Sequence, residues 1–454
     1  EVEHGGREGG KAELHLDAQH PLFKGLDDVE QVFMSHYDSV ISVGPDFEEI
    51  GHSITGLASE HRYAAIGSDK LRRYGFQFHP EVDDTTHGDD MIANFVFEIC
   101  KCEVSWSMDG FLDEEIERVR AHVGDGSVFL LASGGVDSTV AAVLLGQALG
   151  PEKLHLLHID NGLMRLHESA GVLRMFTEIG LDQNLHFVDA SDTFLAALAD
   201  AIEPEAKRRI IGDSFVKVFQ HEAERLGIEH HLLGQGTIYP DTIETGGTKR
   251  AQTIKTHHNR VPIIEEMIQA GKVVEPLADL YKVEVRELGE RMGIEHQALW
   301  RHPFPGPGLG VRLLCSDGTQ DTEGFEDLIP QTEAIAESYG LQACLLPIRS
   351  VGVKADVRAY EHPVLLSGDV PWDTLIAAVS SLTAKVPGIN RCVWNVDEGH
   401  PNQARAVEGR VTRARLDILR EADAIVMDAL RDHGVYNDVW QCPTVLAPLA
   451  LGDS

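Results

Sequence analysis

Residues 127–149 read SVFLLASGGVDSTVAAVLLGQAL. The opening SVFLLAS is a short apolar run that predicts a buried strand. It runs straight into Gly134-Gly135, and VDSTVAAVLLGQAL then continues as a helix. Glycine lets a backbone turn tightly and approach an anion, and the amino end of the following helix presents free N–H groups. The hydroxyls of Ser133 and Ser138 add donors. The loop Ser133, Gly134, Gly135, Val136, Asp137, Ser138 therefore suits a pyrophosphate group. A bare carboxylate would repel phosphate, so Asp137 must either hold a bridging Mg²⁺ or orient the loop. The loop contains no lysine, so it is not a Walker A loop. A tight strand-to-helix turn with a serine cap is the plain alternative.

The same alternation repeats outward from this loop. DGFLDEEIERVRAHV (109–123) has amphipathic helical spacing. KLHLLHIDNG (153–162) predicts a second strand, ESAGVLRMFTEIG (168–180) a helix, and LHFVDAS (185–191) a third strand. FVKVFQHEAERLG (215–227) predicts another helix and HHLLGQGT (230–237) a fourth strand. Such alternation predicts α/β architecture with a doubly wound parallel sheet over residues 106–305. Its ligand is expected at the carboxyl ends of the strands, where SGG, DNG and GQGT lie.

Residues 1–105 have a different character. QVFMSHYDSV (31–40), RYAAIGS (62–68) and YGFQFHPEV (74–82) read as short strands, and DDMIANFVFEICKC (89–102) has helical spacing. The pattern changes again after PFPGPG (303–308). A helix ending in AIAESYG (334–340) precedes LQACLLPIRSVGV, and one ending in MDALRDHG (427–434) precedes VYNDVWQCPTVLAPLAL. This weak internal repeat divides the remainder into 306–400 and 401–454. The chain starts at Glu1 and stops just after the second repeat's strand, which suggests truncation at both ends.

The 454 residues are 43% hydrophobic and 25% charged, ordinary values for a globular chain of several domains. No apolar run approaches the roughly 20 residues of a membrane span, and no signal-peptide layout opens the chain. A net charge of -34 argues against nucleic-acid binding. Six scattered cysteines, Cys100, Cys102, Cys315, Cys344, Cys392 and Cys442, suit reduced thiols in a cytoplasmic protein.

The S-G-G-V-D-S loop resembles the PP-loop of ATP pyrophosphatases, which cleave ATP between the α and β phosphates to adenylate an oxygen. EAKRRIIGD (205–213), GQGTIYPDTIET (234–245), IKTHHN (254–259) and RHPFPGPGLGVR (301–312) narrow that resemblance to GMP synthetases of the long type, over essentially the whole chain. Residues 1–105 then resemble the end of a class I glutamine amidotransferase domain, 106–305 the ATP pyrophosphatase domain, 306–400 the α+β dimerisation-type domain, and 401–454 part of a second copy. The resemblance implies ATP-dependent amination of XMP through an adenyl-XMP intermediate, with glutamine or ammonia as nitrogen donor. Monomer and homodimer both remain open.

The residues support several of these roles independently. Lys207, Arg208 and Arg209 form a basic triplet in an acidic chain, suited to clamping phosphate or to a solvated helix face. Asp241 and Glu244 could share a Mg²⁺ with Asp137, or favour a helix amino end. Lys255, His257 and His258 lie in a segment that suits a closing lid. By resemblance, Lys255 is catalytic, Arg208, Asp356 and Gln441 contact XMP, and Arg349 and Arg358 are neighbouring candidates. His79-Pro80-Glu81 matches the His and Glu of the amidotransferase Cys-His-Glu triad, in which the acid orients the base. Ser35-His36-Tyr37-Asp38 matches the family's S-H-G-D with Tyr for Gly. No cysteine precedes Cys100, and Cys100 and Cys102 fall in an apolar helical stretch, so this chain is expected not to hydrolyse glutamine. NAD synthetase, a rival of the same superfamily, is disfavoured by EAKRRIIGD and PFPGPG. The intact loop speaks against a non-catalytic scaffold. Asp137→Ala is expected to abolish ATP cleavage while the fold survives, as circular dichroism alongside a pyrophosphate-release assay would show.

Overall fold

The computed structural model describes residues 2–55, 59–227, 230–244, 267, 270–354, 357–397 and 403–451. It divides into two units, Glu1–Ser107 and Met108–Ser454.

The first unit is an antiparallel sheet of five strands, β1 (Val2–Leu16), β2 (Val29–Val40), β3 (Glu48–Thr55), β4 (Ser59–Ser68) and β5 (Arg73–Phe76), in the order β2-β1-β3-β4-β5. Period-two alternation buries Ala12, Leu14 and Leu16 of β1 with Val32 and Met34 of β2. Helix α1 (Gly88–Ala93) continues as a π-helical turn, Asn94–Ile99, and places Met91 in the same core. The expected strands at 31–40 and 62–68 are present, and the one expected at 74–82 forms only over Arg73–Phe76. β1 gave no signal because its first half, VEHGGREGG, is polar and glycine-rich. Cys100 and Cys102 lie just past the helix, exposed, and not in an apolar helical interior.

The second unit is built on five parallel strands, β6 (Val128–Leu131), β7 (Leu154–Asp160), β8 (Leu185–Asp189), β9 (Leu232–Gly234) and β10 (Val273–Val274), in the order β10-β9-β6-β7-β8. Helices α2 (Met108–Val123), α3 (Val136–Leu149), α4 (Glu168–Ile179), α5 (Ser191–Leu198), α6 (Pro204–Leu226), α7 (Tyr239–Glu244) and α8 (Lys282–Arg291) complete it. This is the α/β doubly wound sheet expected from the sequence. β6 has β7 on one side and β9 on the other, so the strand order reverses there and a crevice opens at its carboxyl end. α3 is apolar over most of its surface because most of it is covered: Val140, Ala141, Ala142, Leu144 and Leu145 are completely buried among β6, α2 and α8, and Gln147 faces solvent.

Residues 342–394 form a second sheet from β11 (Gln342–Leu345), β12 (Ser350–Lys354), β13 (Val357–Ser367) and β14 (Ile389–Trp394), backed by α9 (Phe325–Ser338) and α10 (Trp372–Lys385). Helix α11 (Arg413–Asp432) packs elsewhere. Its Leu416 and Leu419 join Phe129, Ile159, Phe194 and Ile211 in the core on one face of the nucleotide-type sheet. The repeat seen in sequence is unequal in structure. A strand follows the first helix at 342–345, whereas after α11 the next strand comes only at Leu449–Leu451.

α11 is fastened by a buried charge cluster. Asp423, 2% exposed, lies 3.2 Å from Arg312 Nη1 and 3.1 Å from Arg165 Nε, and both guanidiniums stack on Phe304 of the PFPGPG segment. Removing one member of such a cluster strands the other charges away from water. Asp423→Ala is expected to destabilise the chain by about 3–5 kcal/mol, read as a lower urea midpoint.

Candidate active site

The loop after β6 is shaped by contacts that only glycine permits. Gly134 has φ +76, and a Cβ there would lie 2.2 Å from Val172 of α4. Gly236, after β9, sits directly on the loop: its Cβ would fall 2.9 Å from the Asp137 carbonyl carbon and 3.0 Å from the Ser138 nitrogen. The SGG and GQG segments therefore touch backbone to backbone. Gly135 caps α3 without a side-chain hydrogen bond, so the first N–H groups of the helix are available to an anion. The two hydroxyls are pre-oriented. Ser133 Oγ lies 2.9 Å from Ser138 Oγ and accepts from Gly135 N–H at 3.3 Å, while Ser138 Oγ donates to Gly135 O at 3.0 Å. At the root of the loop, buried His158 donates from Nδ1 to Ala132 O at 2.7 Å.

Two cations from distant segments complete the loop: Arg301 opens the RHPFPGPG motif, whereas Lys282 had no local signal. Lys282, the first residue of α8, places Nζ 2.6 Å from Asp137 Oδ1. Arg301 donates from Nη1 to Gly134 O at 2.9 Å and pairs through Nη2 with Glu168 of α4. The next residue, His302, donates its backbone N–H to Tyr436 Oη at 2.9 Å, and the two rings stack 4.0 Å apart. RHPFPGPG is thus more than a rigid turn: it clamps the loop.

In the first unit, His79 Nδ1 donates to Glu81 Oε1 at 2.8 Å, and this bond holds the Glu81 carboxyl below its usual range. With Nδ1 occupied, Nε2 is the nitrogen left to act as base. Thr85 fixes the backbone beneath it, donating to His79 O at 2.6 Å and accepting from Phe33 N–H at 3.0 Å.

Comparison with known proteins agrees with both halves. The class-I glutamine amidotransferase family model matches residues 1–99. A glutamine-hydrolysing GMP synthase of Syntrophomonas wolfei is 41% identical over 420 residues, 87% of this chain and 79% of that one. A probable glutamine-hydrolysing GMP synthase of Leptospira interrogans is 39% identical over 447 residues, 96% of this chain and 72% of its own length. The chain belongs to the GMP synthase family.

Against that family's expected site, the structure divides the residues read from sequence. Ser133 to Ser138 are gathered at the crevice. Asp241 stands at the start of α7, its Oδ2 accepting from Ile238 N–H at 3.2 Å. Glu244 ends α7; its side chain, like Lys255, His257, His258 and Asp356, lies outside the described residues. Among the described residues no three acidic, His or Cys side chains converge as a metal cage. The basic triplet splits, because one helix cannot turn three consecutive residues the same way. Lys207 is completely buried, donating to Leu313 O at 2.6 Å, with burial pushing its ammonium below the usual lysine range. It is therefore no part of a phosphate clamp. Arg208 is exposed on the same helix and paired with Glu205 at 2.7 Å. Gln441 is exposed in the segment after α11. Arg349 is engaged by Asp321 at 2.7 Å and Glu323 at 2.6 Å. No helix among the described residues is long and apolar enough to cross a membrane.

Arg301 thus sets the aim of the loop without belonging to it. Arg301→Ala is expected to lower kcat/KM for ATP about 100-fold, because a loop displaced by 1 Å loses that much. Pyrophosphate release against ATP concentration would measure this, and Arg301→Lys, which keeps one donor, should restore part of it.

Proposed function

We propose that this chain makes GMP by ATP-dependent amination of XMP, with glutamine or ammonia as the nitrogen source. Family membership supports the reaction class. The observation that carries the mechanism is the loop Ser133–Ser138, a donor-lined anion cradle with a carboxylate at its rim, in the crevice where the strand order reverses.

The xanthine carbonyl oxygen is a poor leaving group. Its attack on the α-phosphorus of ATP gives adenyl-XMP and expels pyrophosphate. Ammonia then adds to the activated carbon, AMP leaves, and GMP results. The α3 N–H groups, Ser133 Oγ and Ser138 Oγ stabilise the departing pyrophosphate, which gains charge as the bond breaks. No covalent nucleophile of the protein is required. Mg²⁺ suits this oxygen-rich rim and would supply charge neutralisation on the phosphates. It keeps several waters and needs only one or two carboxylates, so the absence of a three-ligand cage among the described residues is compatible with it. Asp137 and Asp241 are the residues that would hold it, and Glu244 is assigned to the same ion from the sequence. Arg208, Asp356 and Gln441 are assigned to XMP, and Lys255 to a segment that closes over the nucleotide. Water must be excluded while adenyl-XMP waits for ammonia.

In the amidotransferase unit, Glu81 orients His79 to take a proton from a thiol nucleophile. The sequence in hand has no cysteine before Cys100, so ammonium replaces glutamine in the test. AMP and pyrophosphate release would be followed with Mg²⁺ and ammonium, with and without XMP. XMP-dependent AMP formation matched by GMP is expected. AMP formation indifferent to XMP would overturn the assignment.

A further inference from the structure

We propose that Ser169 is a positioning residue for the nucleotide: its hydroxyl joins the loop after β6 to the turn after β7, so that both walls of the crevice move as one piece. This rests on the reading of the loop as a pyrophosphate cradle and gives a role to a residue outside every motif of the sequence.

One hydroxyl serves two acceptors. Ser169 Oγ lies 2.8 Å from Asp160 Oδ2 and 3.0 Å from Nε2 of His158. Asp160 ends β7, and its Oδ1 accepts from Gly162 N–H at 2.8 Å, which shapes the DNG turn. His158 is completely buried, stacked on Phe187 of β8, and its Nδ1 donates to Ala132 O at 2.7 Å, one residue before the loop. A carbonyl only accepts, so Nδ1 carries the hydrogen and a neutral ring turns its Nε2 lone pair to Ser169. Burial favours that neutral ring: it holds the imidazole below its usual range, against the opposing pull of Ala132 O, Asp160 and Glu168. The hydroxyl hydrogen is therefore shared between Asp160 and His158. A continuous chain of hydrogen bonds runs from Ala132 O through His158, Ser169 and Asp160 to Gly162 N–H.

The helix that carries Ser169 takes its position from the loop. α4 opens without a side-chain cap, and His167 before it stands at φ +57, a left-handed backbone that a residue with a Cβ adopts only at a cost. The entry is fixed instead by contacts that lead to the loop. Glu168 pairs with Arg301, which holds Gly134 O at 2.9 Å. Val172 fills the space over Gly134, where a Cβ would lie 2.2 Å from it. Ser169 reaches Ala132 through His158. Residues 168, 169 and 172 share one face of the first turn, three and four apart.

The crevice has the SGG loop on the β6 side and the DNG turn on the β7 side. A nucleotide seated there touches both, and its α-phosphorus stands in line for attack only while their spacing is kept. Ser169 keeps it without touching the nucleotide.

The test follows pyrophosphate release by the full chain with Mg²⁺ and ammonium. ATP is varied at saturating XMP, then XMP at saturating ATP, at a temperature where circular dichroism shows each variant folded. Ser169→Ala should lower kcat/KM for ATP about 10-fold, the worth of a hydrogen bond to a charged group, and leave KM for XMP unchanged. Ser169→Thr, which keeps the hydroxyl, should restore most of the loss. His158→Asn keeps a donor for Ala132 O but is too short to reach Ser169, so its loss should not add to that of Ser169→Ala in the double variant. Full additivity would overturn the proposal, as would equal kcat/KM for ATP in Ser169→Ala and the parent chain. An equal loss for ATP and XMP that Ser169→Thr does not repair marks a merely structural role and overturns it too. The two Ser169 variants decide the matter by themselves if His158→Asn does not fold. A parent chain that releases no pyrophosphate in the presence of XMP would overturn the reading of the function as well, and so is told apart from failure of Ser169 alone.

Discussion

The catalytic half of this molecule depends on a backbone-to-backbone contact. The loop after β6 and the loop after β9 meet with no room for a side chain at Gly236, and Gly134 turns under Val172 at a positive φ. These contacts set where the first turn of α3 points. Around them the apolar elements have little freedom. β6 is buried within the sheet and α3 is buried over most of its surface, so any shift of the loop would have to move a close-packed core.

On that rigid base the polar chemistry is arranged in two tiers. Arg301 and His158 bind carbonyls at the edges of the loop and leave its N–H groups turned towards the crevice. Asp137 and Lys282 face each other across the rim as an ion pair 2.6 Å apart. Arg301 and Lys282 come from segments far along the chain, and Arg301 is itself followed by a residue stacked on Tyr436. The carboxyl-terminal residues are thereby tied to the loop's own support. The Asp423 cluster does the same for α11, whose Arg420 also donates to Gly162 O of the DNG segment and to Met164 O at 3.0 Å just beyond it.

The amidotransferase unit follows a different rule. Its sheet is antiparallel, and its His79-Glu81 pair stands just past an edge strand, fixed from below by Thr85. A Cβ at Gly88 would lie 1.8 Å from the Pro80 carbonyl oxygen, so the helix start and the HPE turn are pressed together. The histidine and its carboxylate partner are thus ready-made, two residues apart in sequence and on one turn.

Local order was legible in the sequence. The strand-loop-helix at 127–149, the alternation that follows it and the HPE turn depend on residues close in the chain, where periodicity and glycine placement are direct physical signals. The parallel sheet, its ligand crevice and the family followed from these. The two-residue strand β10 and the polar half of β1 were less legible, because short or two-sided polar strands are stabilised by their neighbours more than by their own pattern. What only the tertiary structure decided is which charges meet. Lys207 reads like Arg208 in a basic triplet, yet one is buried against Leu313 and the other faces water, since a helix turns consecutive side chains to different sides. Lys282 looks like an ordinary surface cation, and Arg301 like the first residue of a rigid turn, until folding sets one against Asp137 and the other against Gly134. Electrostatic partners are chosen by distance in space, and no spacing along the chain encodes it.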